Sequence, residues 1–297
     1  MTNPDQRETT TDRTDEARSV VVGVDGSERN RSAVAYAVHE AADSGRALTL
    51  LAVLDDFAIP IPHHSLLPDD ERDWQVLNEI AEATRQDHPE LTVHRDVRFG
   101  GAVSTLLDRS DDQELLVVGK RGLGAFSRLM VGSTSIGVAG RSKVPVIVVP
   151  DGWQQAEHVS DAVVVGLDPE DTNDATLRFA FTVAHRRGVA LTVAYAIDIS
   201  PLLAWDVELG SPAYWADRAV QDLETALAPL RAEFPDVSVS VREVRGHPAT
   251  VLLDESGPAQ LLVLGRHHDS RIGFSLGSVA RGVLHYAEVP VAVVPSL

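Results

Sequence analysis

The chain is written twice, and that repetition restricts its fold more than any other feature of the sequence. Val20-Val21-Val22-Gly23-Val24-Asp25 returns as Val163-Val164-Val165-Gly166-Leu167-Asp168, and Leu115-Leu116-Val117-Val118-Gly119 returns as Leu261-Leu262-Val263-Leu264-Gly265. Pro145-Val146-Ile147-Val148-Val149-Pro150 returns as Pro290-Val291-Ala292-Val293-Val294-Pro295, and the three offsets are 143, 146 and 145 residues. Segments matched in order at nearly one spacing mark duplicated domains. The length of 297 residues agrees, at roughly 100–200 residues per domain. The expected division is a disordered polar tail at 1–18, a first domain at 19–150, a linker at 151–160 and a second domain at 161–297.

Each half alternates short apolar runs with longer amphipathic ones. In the first half the runs Ser19–Asp25, Ala47–Leu54, Leu91–Val97, Glu114–Gly119 and Val144–Val149 are rich in Val, Leu and Ile on both faces, the pattern of strands covered on both sides of a parallel sheet. Between them, Glu28–Ser44 sets Ala33, Ala37, Val38 and Ala41 on one helical stripe, which predicts a helix docked on the sheet. The expected fold class is α/β, as two tandem doubly wound five-stranded parallel-sheet domains of Rossmann-like type with helices on both faces. The last strands, Pro145–Pro150 and Pro290–Pro295, are short and apolar, and an exposed edge of that kind needs a partner.

Composition removes several functional classes. With 26 basic residues against 44 acidic ones the formal charge is −18, which argues against nucleic acid and anionic membrane as main partners. There is no cysteine, so disulfides, thiolate metal sites and cysteine nucleophiles are excluded. Residues 1–18 lack the apolar core of a secretory signal, and no apolar stretch approaches the roughly 20 residues that cross a bilayer. The cytoplasm is the expected location.

Ligands of open parallel sheets bind beyond the carboxyl ends of the strands, so strand exits are where chemistry is sought. The first strand leaves through Asp25-Gly26-Ser27, a carboxylate before a flexible turn. The fourth leaves through Gly119-Lys120-Arg121-Gly122, followed after nine residues by Gly132-Ser133-Thr134 at the start of an apolar helix. Glycines allow backbone to approach a ligand, a helix start offers free N–H groups, and the Ser133 and Thr134 hydroxyls add donors. Lys120, Arg121 and Arg128 concentrate positive charge there in an acidic chain. The physical reading is a phosphate cradle.

With those residues in view, the chain resembles the universal stress protein family in its tandem two-domain form. Gly119-x2-Gly122-x9-Gly132-Ser133 is similar to that family's ATP-binding signature at full spacing, and Val22-Gly23-Val24-Asp25-Gly26-Ser27 accompanies it. The resemblance implies ATP, together with Mg²⁺, in the crevice. Asp25 and the backbone of Val53 would hold the adenosine part, and Gly119, Gly122, Gly132, Ser133 and Thr134 the ribose and phosphates. It also implies that the two halves pair through their last strands and that two chains then form a homodimer.

The second half departs from the pattern. Asp168, Gly265, Gly277 and Ser278 remain, but Gly26-Ser27 becomes Pro169-Glu170, Gly122 becomes His268, Val53 aligns with Ala196, and the interval between the outer glycines is 12 residues instead of 13. A side chain in place of a backbone-access glycine, in a shorter loop, predicts weaker binding there.

Other signals point elsewhere. Gly273-Phe274-Ser275-Leu276-Gly277 has the glycine spacing of a nucleophile elbow, yet the preceding strand stops at Gly265 and no acid lies between Ser275 and His285. The adjacent pairs His63-His64 and His267-His268 lack a third metal ligand at suitable spacing. Neither lysine sits in a Walker A context. The leading expectation is therefore an ATP-binding regulatory module of the stress response that acts on a protein partner. The alternatives are a slow ATPase of the same fold and a scaffold with decayed nucleotide sites.

Overall fold

A computed structural model describes residues 19–54, 68–122, 130–154, 158, 161–168, 173–197, 212–266 and 276–296. The first half contributes β1 (Val20–Val24), β2 (Leu48–Leu54), β3 (Val93–Phe99), β4 (Leu115–Gly119) and β5 (Val146–Val149), interleaved with α1 (Arg31–Ser44), α2 (Pro68–Asp87), α3 (Ala102–Ser110) and α4 (Ser133–Ala139). The second half repeats the order with β6 (Val163–Gly166), β7 (Leu191–Ile197), β8 (Val239–Arg245), β9 (Leu261–Arg266) and β10 (Val291–Pro295), and with α5 (Asp174–Arg187), α6 (Pro212–Glu233), α7 (Pro248–Ser256) and α8 (Ser278–Tyr286). The apolar runs become strands because their Val, Leu and Ile side chains are covered on both faces: Val20, Val22, Leu48, Leu50, Leu51, Leu116 and Val117 are all buried.

The strands form one sheet in the order β3-β2-β1-β4-β5-β10-β9-β6-β7-β8. Pairing within each half is parallel, as expected. The halves join through β5 and β10, which run antiparallel with Val291 opposite Val148, Ala292 opposite Ile147 and Val293 opposite Val146. The two apolar last strands thus satisfy each other's open edge.

Several boundaries differ from the sequence reading, two of them with a clear cause. The helix expected over Glu28–Ser44 starts as a 3-10 turn at Glu28–Asn30 before α1. The third strand begins at Val93 and ends at Phe99, and several of its side chains are exposed, because it is the outermost strand of its half and only partly covered.

Polar contacts bind the halves together beside the shared strands. Arg187, at the end of α5, donates to Tyr36 Oη and to Glu40 Oε2 on α1, each at 2.8 Å, and to Gln260 Oε1, also at 2.8 Å. Arg186 pairs with the other Glu40 oxygen. Burial alone raises a carboxyl, but Arg187 and Arg186 outweigh it and hold Glu40 below the usual carboxylate range. Among the described residues no helix is long and apolar enough to cross a membrane.

Candidate functional site

β1 pairs with β2 on one side and β4 on the other, so strand order reverses between β1 and β4 and leaves a crevice at their carboxyl ends. A cavity of about 240 Å³ opens there. All seven residues expected of a first-half site, Asp25, Val53, Gly119, Gly122, Gly132, Ser133 and Thr134, line it. They come from the exits of β1, β2 and β4 and from the start of α4. Ala102, Leu106 and Val118 supply an apolar wall, so the cavity joins an apolar face to a polar rim.

The local chemistry fixes this rim closely. Gly26 has φ +70°, a left-handed conformation that turns the chain so that Ser27 N donates to Asp25 Oδ1 at 2.9 Å. A β-carbon on Gly122 would lie 2.6 Å from Asp25 Oδ2, so any larger residue there would have to push the carboxylate aside. The loop is closed at its neck, where Gly132 N donates to Lys120 O at 2.8 Å and Ser135 Oγ donates to Gly119 O at 2.7 Å. From the other side Asn30 Nδ2 donates to Gly23 O at 3.0 Å.

The expected concentration of positive charge resolves differently. Lys120 does not face the cavity: its Nζ crosses to the second half and donates to Ala287 O at 2.8 Å. Ala287 is the C-cap residue of α8, so the ammonium donates at the carboxyl end of that helix, where partial negative charge collects. Its counterpart Arg266 donates through Nη1 to Ala139 O, the last residue of α4, at 3.4 Å. Burial, reinforced by neighbouring Arg121, lowers the Lys120 ammonium below its ordinary value. Arg121 does line the cavity, and its Nη2 lies 2.8 Å from Asp151 Oδ2. Arg128 lies outside the described residues. α4 is only seven residues long, so donors at its start are the local N–H and hydroxyl groups of Ser133 and Thr134.

Comparison with known proteins decides the family. The family model described as the universal stress protein family matches residues 16–150 and again residues 160–295. The chain belongs to the universal stress protein family. A universal stress protein of Mycolicibacterium smegmatis is 33% identical over 93% of this chain and 96% of its own length. One from Mycobacterium tuberculosis is 33% identical over 92% of this chain and 96% of its own. The crystal structure of a universal stress protein from Archaeoglobus fulgidus aligns with 94% of this chain and 97% of its own at a TM-score of 0.71 and 20% identity, a likeness of fold.

The second universal stress protein domain retains Asp168, Gly265, Gly277 and Ser278. Asp168, Gly277 and Ser278 are exposed. Among the described residues a β-carbon on Gly277 would meet nothing within 4 Å, whereas one on Gly132 would lie 3.4 Å from Lys120 O. Gly265 instead faces Thr176, whose Oγ1 would lie 2.9 Å from a β-carbon there and has no hydrogen-bond partner among the described residues. His268, on which the expectation of a cramped loop rests, is outside the described residues, as are Pro169 and Glu170.

Two polar residues of the cavity wall escaped the sequence reading, Asn30 and Ser135. A signal for Asn30 was present: Asn173 stands seven residues after Gly166, as Asn30 does after Gly23. The two have diverged in use, since Asn173 caps α5 by accepting from Ala175 N at 2.9 Å and Thr176 N at 3.3 Å. Ser275, His63, His64 and His267 lie outside the described residues. Among the described residues no cluster of three or more acidic or histidine side chains could hold a metal ion.

Proposed function

We propose that this universal stress protein is a regulatory module that binds ATP in its first-half cavity. The observation that carries the reading is the convergence of all seven motif residues, from four separate segments, on one cavity at the reversal of strand order. The site also fits the ligand chemically. Gly119, Gly122 and Gly132 leave space for backbone to approach phosphate, the Ser133 and Thr134 hydroxyls can donate, and Asp25 can accept from the adenosine part. In this reading, as the family resemblance implies, the backbone of Val53 helps hold the adenosine part. Arg121 Nε is buried without a partner among the described residues and supplies a further donor at the rim. Mg²⁺ would arrive with the phosphates and neutralise part of their charge, keeping water in much of its coordination shell.

Binding is favoured over hydrolysis because Asp25 is the single carboxylate among the described cavity-lining residues, and it already accepts from Ser27 N. In this reading the second site, with Asp168, Gly265, Gly277 and Ser278, binds more weakly. A homodimer, supported by the family resemblance, cytoplasmic residence, supported by the cysteine-free composition, and control of a protein partner complete it.

Mass spectrometry of ligand released from denatured protein, followed by calorimetric titration, tests the assignment. ATP in the released fraction and a clear loss of affinity in Asp25→Ala and Gly132→Ala are expected. Unchanged affinity in both variants would overturn it. Two equivalent nucleotides per chain would overturn the asymmetry between the halves.

A further inference from the structure

Arg121 has its backbone at the neck of the nucleotide loop and its side chain on the segment that joins the halves. Its carbonyl oxygen would lie 3.2 Å from a β-carbon on Gly119, and its Cα 3.8 Å from one on Gly132, so the backbone is fixed between the loop glycines. Arg121 lines the cavity, and its side-chain Nη2 pairs at 2.8 Å with Oδ2 of Asp151, two residues after β5. The arrangement is only half satisfied: Arg121 Nε and Asp151 Oδ1 are both buried without a hydrogen-bond partner among the described residues. A second cation stands close by, with Arg29 Nε 3.9 Å from the same Asp151 oxygen.

We propose that Arg121 is a shared cation, traded between Asp151 at the start of the interdomain segment and the phosphate groups of a nucleotide in the first-half cavity. The inference rests on the nucleotide-binding reading and adds its regulation. An arginine so placed needs only side-chain rotation to turn from carboxylate to phosphate, because both are planar or tetrahedral oxyanions that a guanidinium recognises through paired N–H groups. Stranding a largely buried carboxylate would normally oppose that move. Here Arg29 remains beside Asp151 and can take over part of the pairing, which lowers the barrier to exchange.

Two consequences follow from sharing. Asp151 competes with the ligand, so its carboxylate tunes affinity for phosphorylated nucleotides without touching them. Occupancy also withdraws the cation in closest contact with Asp151, and so loosens the start of the segment leading from the first half into the second. The effect scales with ligand phosphate and is absent for adenosine, which has none.

The test is a double-mutant cycle on the full chain, with ATP and adenosine titrated separately by calorimetry and folding checked by circular dichroism. Asp151→Asn is expected to raise ATP affinity about threefold to fivefold, the range of a partly exposed ion pair, while adenosine affinity stays within about twofold. Arg121→Gln is expected to lower ATP affinity about tenfold and leave adenosine unchanged. In the Arg121→Gln background, Asp151→Asn should no longer raise ATP affinity. A rise that persists there would show simple charge repulsion by Asp151 and overturn the exchange. Equal losses for ATP and adenosine would show a structural role and overturn it too. Wild-type protein that binds neither ligand would instead overturn the nucleotide-binding reading, and the exchange with it.

Discussion

Gly122 rests so closely against Asp25 that a β-carbon on the glycine would stand 2.6 Å from the carboxylate oxygen Oδ2. Gly132, at the other end of the same loop, has more room, its nearest neighbour being Lys120 O at 3.4 Å. The two glycines therefore differ in what they protect. Gly122→Ala should displace Asp25 and lower affinity for both ATP and adenosine, by about tenfold, equivalent to ~1.4 kcal/mol. Gly132→Ala should spare adenosine and weaken ATP. Parallel titrations of the two variants with both ligands check this.

Lys120 tests whether positive charge near the loop serves phosphate or the fold. Because its ammonium caps the carboxyl end of α8, Lys120→Met should destabilise the protein by about 1 kcal/mol while ATP affinity stays within about twofold. Denaturant titration and calorimetry on the same variant separate the two effects. A large loss of ATP affinity at unchanged stability would contradict the assigned contact.

Arg187 joins the halves from a buried position, with its partners Tyr36 and Glu40 on α1. Arg187→Ala removes the donor to Tyr36 and leaves Glu40 with Arg186 alone, which should cost about 3–5 kcal/mol. Urea unfolding of the variant should show a lower midpoint, and replacement by methionine, which refills the volume, should cost less than alanine only if packing contributes alongside charge.

Acid should act on the same cluster. Glu40 has its folded-state value depressed, so its contribution to stability is fully present above the unfolded carboxylate value of about 4.3 and is lost as pH falls through the lower folded value. Glu40→Gln should be less stable than wild type at neutral pH, and the gap between them should close below about pH 4. Unfolding free energies measured from pH 7 downward for both proteins provide the check.

Much of this architecture was legible in sequence because parallel strands leave a strong mark. Runs such as Val20–Val24 and Leu115–Val118 have no polar face, and their repetition at a constant offset fixes two domains. The cavity residues were legible because glycines and a carboxylate stand at strand exits, where the topology makes crevices. What stayed hidden depends on direction or distance. Lys120 and Arg121 are neighbours in sequence, but the chain bends there after β4, so Lys120 reaches Ala287 O in the second half while Arg121 lines the cavity and pairs with Asp151. Arg187 and Glu40 lie in different domains, so no local pattern could pair them. Asn30 falls inside the segment expected as one helix, and the 3-10 turn that carries it toward Gly23 leaves no periodic signature, so its only mark in the sequence is its repeat at Asn173.

The antiparallel seam between β5 and β10 also bears on how the molecule can change over time. Two separate identical subunits joined by such a seam would carry every mutation twice, in both partners, and would need enough protein in the cell to find each other. Covalent fusion makes the encounter intramolecular, so assembly no longer depends on abundance. It also frees each copy to drift alone. Asn30 braces a strand end and Asn173 caps a helix, a division of labour that an assembly of identical subunits could not encode.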